Sequence, residues 1–255
     1  ADGKVVVVHD FNLKRISGVD KEIDQCTYEE LQEYPIYGSD QRVPLFEDVL
    51  KAVDGKVPLI VELKYKEGSK ICEKAQEILN SYTGIYCIES FHPQVLVWYR
   101  KNYPHICRGQ LSMNFERDEN TKGAQYFALR HLLTNFLAKP DFIAYDCRAM
   151  HAVSKNICRN LFGCPSVAWT VKCQAQLDAC SRSFDYFIFE GFAPSSEAGW
   201  CARVGSDFSI RNKNRGGIPK EFRLFPVKRV LEKTCQKSRK ICKIFSKWRK
   251  SCIIN

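Results

Sequence analysis

The chain has 255 residues, 45% hydrophobic and 27% charged, an ordinary globular composition with room for one large α/β domain or two small ones. Its longest apolar runs are five or six residues, far short of a transmembrane span. The net charge of +10 is uneven: from Glu197 onward sixteen Lys/Arg stand against four Asp/Glu, so this tail carries +12 and the first 196 residues carry −2. A nucleic-acid argument from basic charge therefore applies to the tail alone. Thirteen cysteines are scattered from Cys26 to Cys252 with no C-x-x-C pair. The odd total and the unpaired spacing argue against a disulfide framework and a zinc site. They point to free buried thiols in a reducing, cytoplasmic setting.

The first residues, Ala1-Asp2-Gly3, carry a hairpin-turn signal that calls for a strand before it. We therefore expect an N-terminally incomplete domain whose targeting segments are not seen. Residues 4–10 follow, with four consecutive valines ahead of His9-Asp10. Period-two alternation would put two of those valines in water, so the run predicts a strand buried on both faces, as in a parallel sheet. Such a strand delivers His9 and Asp10 to its carboxyl end, where α/β sheets and barrels bind their ligands. After a polar stretch, Thr27 and Glu30 stand at capping-box spacing for a helix through Leu31. Apolar Leu45, Phe46, Val49, Leu50 and Val53 predict a second helix, closed by Asp54-Gly55.

A buried-looking strand over 58–64 ends on Glu62 and Lys64. Helix and strand patterns then alternate: helix 68–81, strand 86–91, helix 93–103, strand 109–112, helix 126–137, strand 141–145, helix 153–162, strand 166–171, helix 174–181 and strand 186–190. This alternation means βα units and a parallel sheet. Seven strands without a glycine-rich phosphate loop favour a TIM-type (β/α) barrel over a doubly wound sheet. The expected organisation is a barrel over 1–196, a polar linker over 197–226 and a basic amphipathic helix over 227–255. In that helix Ile241, Phe245, Trp248 and Cys252 share one face among lysines and arginines.

Several motifs succeed one another from residue 6 to residue 171. They are Val6-Val7-Val8-His9-Asp10-x-x-Leu13-x-Arg15, Thr27-x-x-Glu30-Leu31, Val43-Pro44-Leu45-x-Glu47-x-x-Leu50, Ile60-Val61-Glu62-Leu63-Lys64, Glu89-Ser90-Phe91 and Ala168-Trp169-Thr170-Val171. In this order and spacing they resemble the glycerophosphodiester phosphodiesterase family. The resemblance implies a phosphodiesterase barrel of the TIM type. It also implies hydrolysis of glycerophosphodiesters to glycerol 3-phosphate and an alcohol, in lipid and glycerol metabolism, with a divalent metal (Ca2+ or Mg2+) as cofactor. By resemblance His9 is one of two general acid/base histidines, Glu62 a metal ligand, Lys64 a charge partner to the phosphate and Trp169 a wall of the pocket. The chemistry needs such groups: an anionic phosphodiester calls for a hard cation on carboxylates, and imidazole can take or give a proton near neutral pH.

The family also carries His-Arg-Gly and Glu-x-Asp motifs ahead of this point, and the chain has no His-Arg-Gly. Glu22-x-Asp24 and Glu116-x-Asp118 sit in polar loop or helix-cap context and are not read as ligands. The 255 residues alone are accordingly expected to be an inactive part of the enzyme. The alternative is a non-catalytic barrel acting as a binding module.

Simpler roles compete for each residue: a loop pair for His9-Asp10, a salt bridge between Glu62 and Lys64, a solvated strand end for Lys64, and barrel core for Trp169. Asp10 is expected to orient its neighbour His9 or the loop, Glu190 to support the site from behind, and His92, His105, His131 and His151 to be surface residues at loop or helix-edge positions rather than ligands. The tail helix has three readings: contact with an anionic membrane surface, packing on the barrel, or nucleic-acid binding, the last without a motif to support it. The expected partner is a small glycerophosphodiester, with a membrane surface through 227–255 and no nucleic acid.

Overall fold

Short runs of branched and aromatic residues form six strands: β1 (Leu59–Leu63), β2 (Tyr86–Ser90), β3 (Arg108–Ser112), β4 (Phe142–Asp146), β5 (Ser166–Val171) and β6 (Tyr186–Phe189). A two-residue strand, β7 (Ile253–Ile254), adds to the outer edge of β1 with Ile253 opposite Glu62. The sheet order is β6-β5-β4-β3-β2-β1-β7, and every neighbouring pair is parallel. The computed structural model describes residues 1–66, 68–115, 123–195 and 253–254.

Parallel neighbours need crossovers, and helices supply them. Ahead of β1 lie α1 (Lys14–Ser17), α2 (Tyr28–Leu31) and α3 (Phe46–Val53); between the strands run α4 (Lys70–Leu79), α5 (Pro93–Asn102), α6 (Ala124–Arg130), α7 (Asn135–Ala138), α8 (Val153–Asn160) and α9 (Gln174–Cys180). One face of the sheet packs on these helices, with Val61, Leu63 and Ile88 against Leu50, Ala75, Leu96 and Tyr99. The other face gathers Cys87, Cys107, Leu111, Phe142, Ala144 and Val167, with Phe91, Trp169, Tyr186 and Ile188 against them. Side chains from β2 to β6 thus meet in one interior cluster, so the sheet curls into a partial barrel of the TIM type.

Local signals in the sequence account for several boundaries. Thr27 and Glu30 make both bonds of the capping box on α2. Asp54 closes α3 in the left-handed conformation, with φ 51°. The single helix expected over 126–137 is instead two, α6 and α7. At the break Leu132 adopts φ 55° and turns into the core beside Ile143 and Tyr145. The carbonyls released there find side-chain donors: Ser112 Oγ donates to Leu129 O at 2.9 Å, and Tyr145 OH and Ser154 Oγ donate to Arg130 O at 3.0 and 3.2 Å.

The valine run is buried at all four positions, as expected, yet it is not a strand of the parallel sheet. Val6 makes an isolated antiparallel bridge to Leu45; Val7 N–H donates to Pro44 O, and Phe46 N–H donates to Val5 O. Val5 and Val7 pack into the cluster with Phe46 and Leu50, while Val6 and Val8 pack with Leu13, Ile16, Ile23, Leu31 and Val43. Cover on both faces comes from two local clusters rather than from two sheet neighbours, and burial alone does not distinguish these cases.

The polar linker over 197–226 lies outside the described residues. So does the helix over 227–255, apart from Ile253–Ile254, which form strand instead. The nine cysteines among the described residues are free, and burial pushes the thiols of Cys72 and Cys164 up to about 12, which leaves them inert.

One ion pair ties α8 to the β5–β6 end. Arg159 donates to Asp185 through Nε at 3.0 Å and Nη2 at 2.8 Å, and Ser166 donates to the same carboxylate through N–H at 2.9 Å and Oγ at 2.8 Å. Burial alone would raise the Asp185 pKa, but these donors outweigh it and hold the carboxyl below its usual range. A depressed acid adds stability that is present above its unfolded value and is lost as pH falls through the folded one. Asp185→Asn should therefore cost about 2 kcal/mol at neutral pH. In urea titrations the gap to the wild type should close as pH drops below about 4; a gap that stays constant would contradict this.

Candidate active site

The β1 pleat turns Glu62 and Lys64 toward the barrel interior and Val61 and Leu63 toward the helices. Glu62 is only 7% exposed. Lys64 Nζ lies 3.5 Å from Glu62 Oε1 and 5.3 Å from the centre of the Phe11 ring. Burial raises the Glu62 pKa, opposed by the charges of Lys64 and then His9, and the net shift is upward. The charge of His9 thus reaches Glu62, although His9 arrives from a bridge segment rather than a sheet strand.

His9 is half-exposed, and its Nδ1 donates to Asp10 Oδ1 at 2.5 Å. The second Asp10 oxygen accepts from Arg15 Nε. Burial would raise the Asp10 carboxyl; the bonds from Arg15 and His9 overcome it and lower it. Asp10 thus fixes the imidazole through Nδ1, and Nε2 is the ring nitrogen that this bond does not engage.

Glu89 stands in the sequence motifs only within Glu89-Ser90-Phe91 and was not expected at the site. It lies directly opposite Glu62 in the β1–β2 register and is 6% exposed. Its Oε2 has no hydrogen-bond partner among the described residues. Burial, and then the Glu62 charge, push its pKa up to about 8. The available signal was an acidic residue at an inward position of a buried strand, in register with Glu62. The next position in this row, Gly109, leaves room for the Phe142 ring, which a Cβ on Gly109 would approach to 2.2 Å.

Trp169 on β5 is half-buried and meets Phe91 edge-on at 5.5 Å, and Phe91 meets Phe115 at 6.3 Å. These rings form an aromatic side of the interior across from Glu62. Trp169 Nε1 is buried without a hydrogen-bond partner among the described residues. Its neighbour in register is Asp146, which the sequence reading also missed; Arg148 binds that carboxylate at 2.5 Å. Gln110 Nε2 donates to Ser90 O at 3.1 Å and Phe91 O at 2.9 Å, and Ser90 Oγ donates to Leu63 O at 2.6 Å, so the carboxyl ends of β1, β2 and β3 are fastened together.

The remaining candidates lie elsewhere. Glu22 and Asp24 both bind Lys66 Nζ, at 2.8 and 2.9 Å. Glu116-x-Asp118 lies outside the described residues. Glu190 sits 3.8 Å from Lys172. His92 is partly exposed at the edge of α5, which it caps: its Nδ1 accepts from Gln94 N–H at 3.3 Å, and its ring stacks on Tyr65 at 3.9 Å. His105 and His151 are exposed, and His131 lies against Phe127.

Among the described residues no group of three or more His, Cys, Asp or Glu is placed to hold a metal ion. Glu62 and Glu89 nevertheless offer two buried carboxylates, one with an unpartnered oxygen. A hard cation such as Mg2+ is commonly held by one or two carboxylates, with phosphate oxygens and waters completing its shell. The donor set fits such an ion.

The architecture, a parallel (β/α) barrel with acidic, basic and aromatic side chains at the carboxyl ends of its strands, places the chain among barrel proteins of the TIM type. The sequence profile of the Glycerophosphoryl diester phosphodiesterase family matches residues 1–176. The chain belongs to this family of phosphoric diester hydrolases.

Solved structures agree on the fold. An Oleispira antarctica phosphodiesterase in complex with the product sn-glycerol-3-phosphate is similar with a TM-score of 0.56 at 19% identity, over 74% of this chain and 76% of that one. The glycerophosphodiester phosphodiesterase of Thermotoga maritima gives 0.54 at 21%, over 73% and 75%. That of Parabacteroides distasonis gives 0.54 at 18%, over 72% and 73%. No curated protein sequence matches the chain significantly.

Proposed function

We propose that the chain supplies part of the site of a metal-dependent phosphodiesterase that acts on glycerophosphodiesters and gives glycerol 3-phosphate and an alcohol. The observation that carries this reading is the buried Glu62 at the carboxyl end of β1, with Lys64 3.5 Å away and the charge of His9 acting on it. The family membership and the product bound to the Oleispira relative support it.

Glu62 and Glu89 would hold the divalent ion, which when bound neutralises phosphate charge. Lys64 adds an ammonium beside the same anion. His9 moves a proton at Nε2 to or from an ester oxygen, while Asp10 steadies its Nδ1–H and stabilises the imidazolium. Trp169 and Phe91 offer an apolar wall to the glycerol carbons and keep water from that side.

The described residues supply one histidine and two carboxylates, so the 255 residues assayed alone should release glycerol 3-phosphate from glycerophosphocholine at close to the background rate. Vigorous Mg2+- or Ca2+-dependent release would contradict that expectation. The rival reading, a non-catalytic binding barrel, draws on the same shortage of ligands. Tight binding of sn-glycerol 3-phosphate that no divalent ion strengthens would favour it.

We also propose that the protein works in the cytoplasm, where its free buried thiols stay reduced, and that the basic tail over 227–255 rests on an anionic membrane surface. Among the described residues no helix is long and apolar enough to cross a membrane. Supporting a surface contact, α6, α7 and α8 carry no acidic residue. They and the turn after α8 expose large apolar side chains, with Phe136, Leu161 and Phe162 at 71%, 75% and 73%. Co-sedimentation with anionic vesicles should fall when 227–255 are removed; equal binding by both forms would refute the membrane role.

A further inference from the structure

We infer that Glu89 is a second protein ligand of the divalent cation, sharing it with Glu62 from the neighbouring strand. The inference rests on the hydrolase reading of this pocket.

Register is the first argument. Glu62 and Glu89 are Cα partners in adjacent parallel strands, so their side chains leave the sheet on the same face at the same height. Neighbouring strands run about 4.8 Å apart. That is close to twice the roughly 2.0–2.6 Å from a hard cation to a carboxylate oxygen, so two converging carboxylates can meet on one ion.

Burial is the second. Glu89 is 6% exposed and its Oε2 has no hydrogen-bond partner among the described residues. A buried carboxylate oxygen without a donor is costly, and it demands a proton, a donor or a metal. Nearby inward side chains of β2 and β3, Cys87, Cys107 and Leu111, offer no cationic group. The ammonium of Lys64 lies against Glu62. With that ammonium taken up by Glu62, the Glu89 carboxyl is left to a proton or to a dication.

Ligation also gives Glu89 a reason to be an acid where apolar residues would pack more cheaply. The row continues into Gly109 and then Phe142, so the polar part of the interior is confined to its β1–β2 side. An ion held there sits beside Lys64 and faces the aromatic wall of Phe91 and Trp169.

The test is calorimetric titration of MnCl2 into the full 255-residue chain, its Glu89→Gln and Glu89→Asp variants, and Glu62→Gln, with melting curves of each sample with and without Mn2+. Glu89→Gln should bind Mn2+ about tenfold more weakly or worse, and should lose most of the Mn2+-induced rise in melting temperature. Without metal it should melt no lower than the wild type, because a buried unpaired acid has been neutralised. Glu89→Asp, which keeps the charge, should recover part of the affinity. If Glu89→Gln binds Mn2+ like the wild type while Glu62→Gln does not, the role of Glu89 is overturned and the pocket reading stands. If the wild type does not bind Mn2+, or neither glutamine variant changes binding, the pocket reading falls and the inference with it.

Discussion

Lys64→Met is expected to weaken binding of sn-glycerol 3-phosphate by roughly 10- to 100-fold, the worth of one hydrogen bond to a charged group. The side chain reaches the pocket from the last turn of the β1 pleat and is held there by Glu62 Oε1 and the Phe11 ring. Methionine keeps the stem and removes the ammonium, so it separates charge from packing. The variant also strips Glu62 of its nearest cation, so the Glu62 carboxyl should shift further upward and the pocket should become less receptive to a second anion. Lys64→Arg should restore most of the affinity. Calorimetry with sn-glycerol 3-phosphate in the presence of Mg2+ decides the matter: unchanged affinity in Lys64→Met would remove Lys64 from the anion site.

Arg108→Met is expected to destabilise the fold by about 3–5 kcal/mol. Arg108 opens β3 in a fully enclosed position and donates to the carbonyls of Ile106 at 3.1 Å, Pro104 at 3.3 Å and Lys139 at 3.4 Å. It also faces Asp141 at 3.8 Å, whose carboxylate accepts the Arg108 N–H at 2.9 Å. One guanidinium thus closes both connections that flank β3. Methionine fills much of the volume and keeps the backbone N–H bond to Asp141, but it leaves the enclosed carbonyls without the guanidinium donor, and that desolvation dominates the loss. For a chain of this size the melting temperature should fall by roughly 10 °C. A change of only one or two degrees would show that water takes over those bonds.

The sequence made the barrel legible because each βα unit is locally consistent. The capping box at Thr27, the stop at Asp54-Gly55, Pro93 at the start of α5 and the apolar runs of β1 to β5 each act within a few residues. Two errors came from longer-range physics. Four buried valines read as a sheet strand, yet their cover is supplied by Leu45, Phe46 and the block from Leu13 to Val43. The 126–137 pattern read as one helix, yet Leu132 breaks it to reach the core.

The pocket was partly legible. Glu62 and Lys64 stand out as charges inside a buried strand, and His9-Asp10 as a titratable pair after an apolar run. Glu89 was hidden because Glu89-Ser90-Phe91 reads as an ordinary strand end, and its meaning comes only from register with Glu62.

The most direct test of the account is anomalous diffraction at the manganese edge from crystals soaked in MnCl2 and sn-glycerol 3-phosphate. The account predicts one peak bonded to Glu62 inside the barrel mouth, with the phosphate between it, Lys64 and His9. A manganese peak at another surface, or a phosphate bound away from Glu62 and His9, would contradict it.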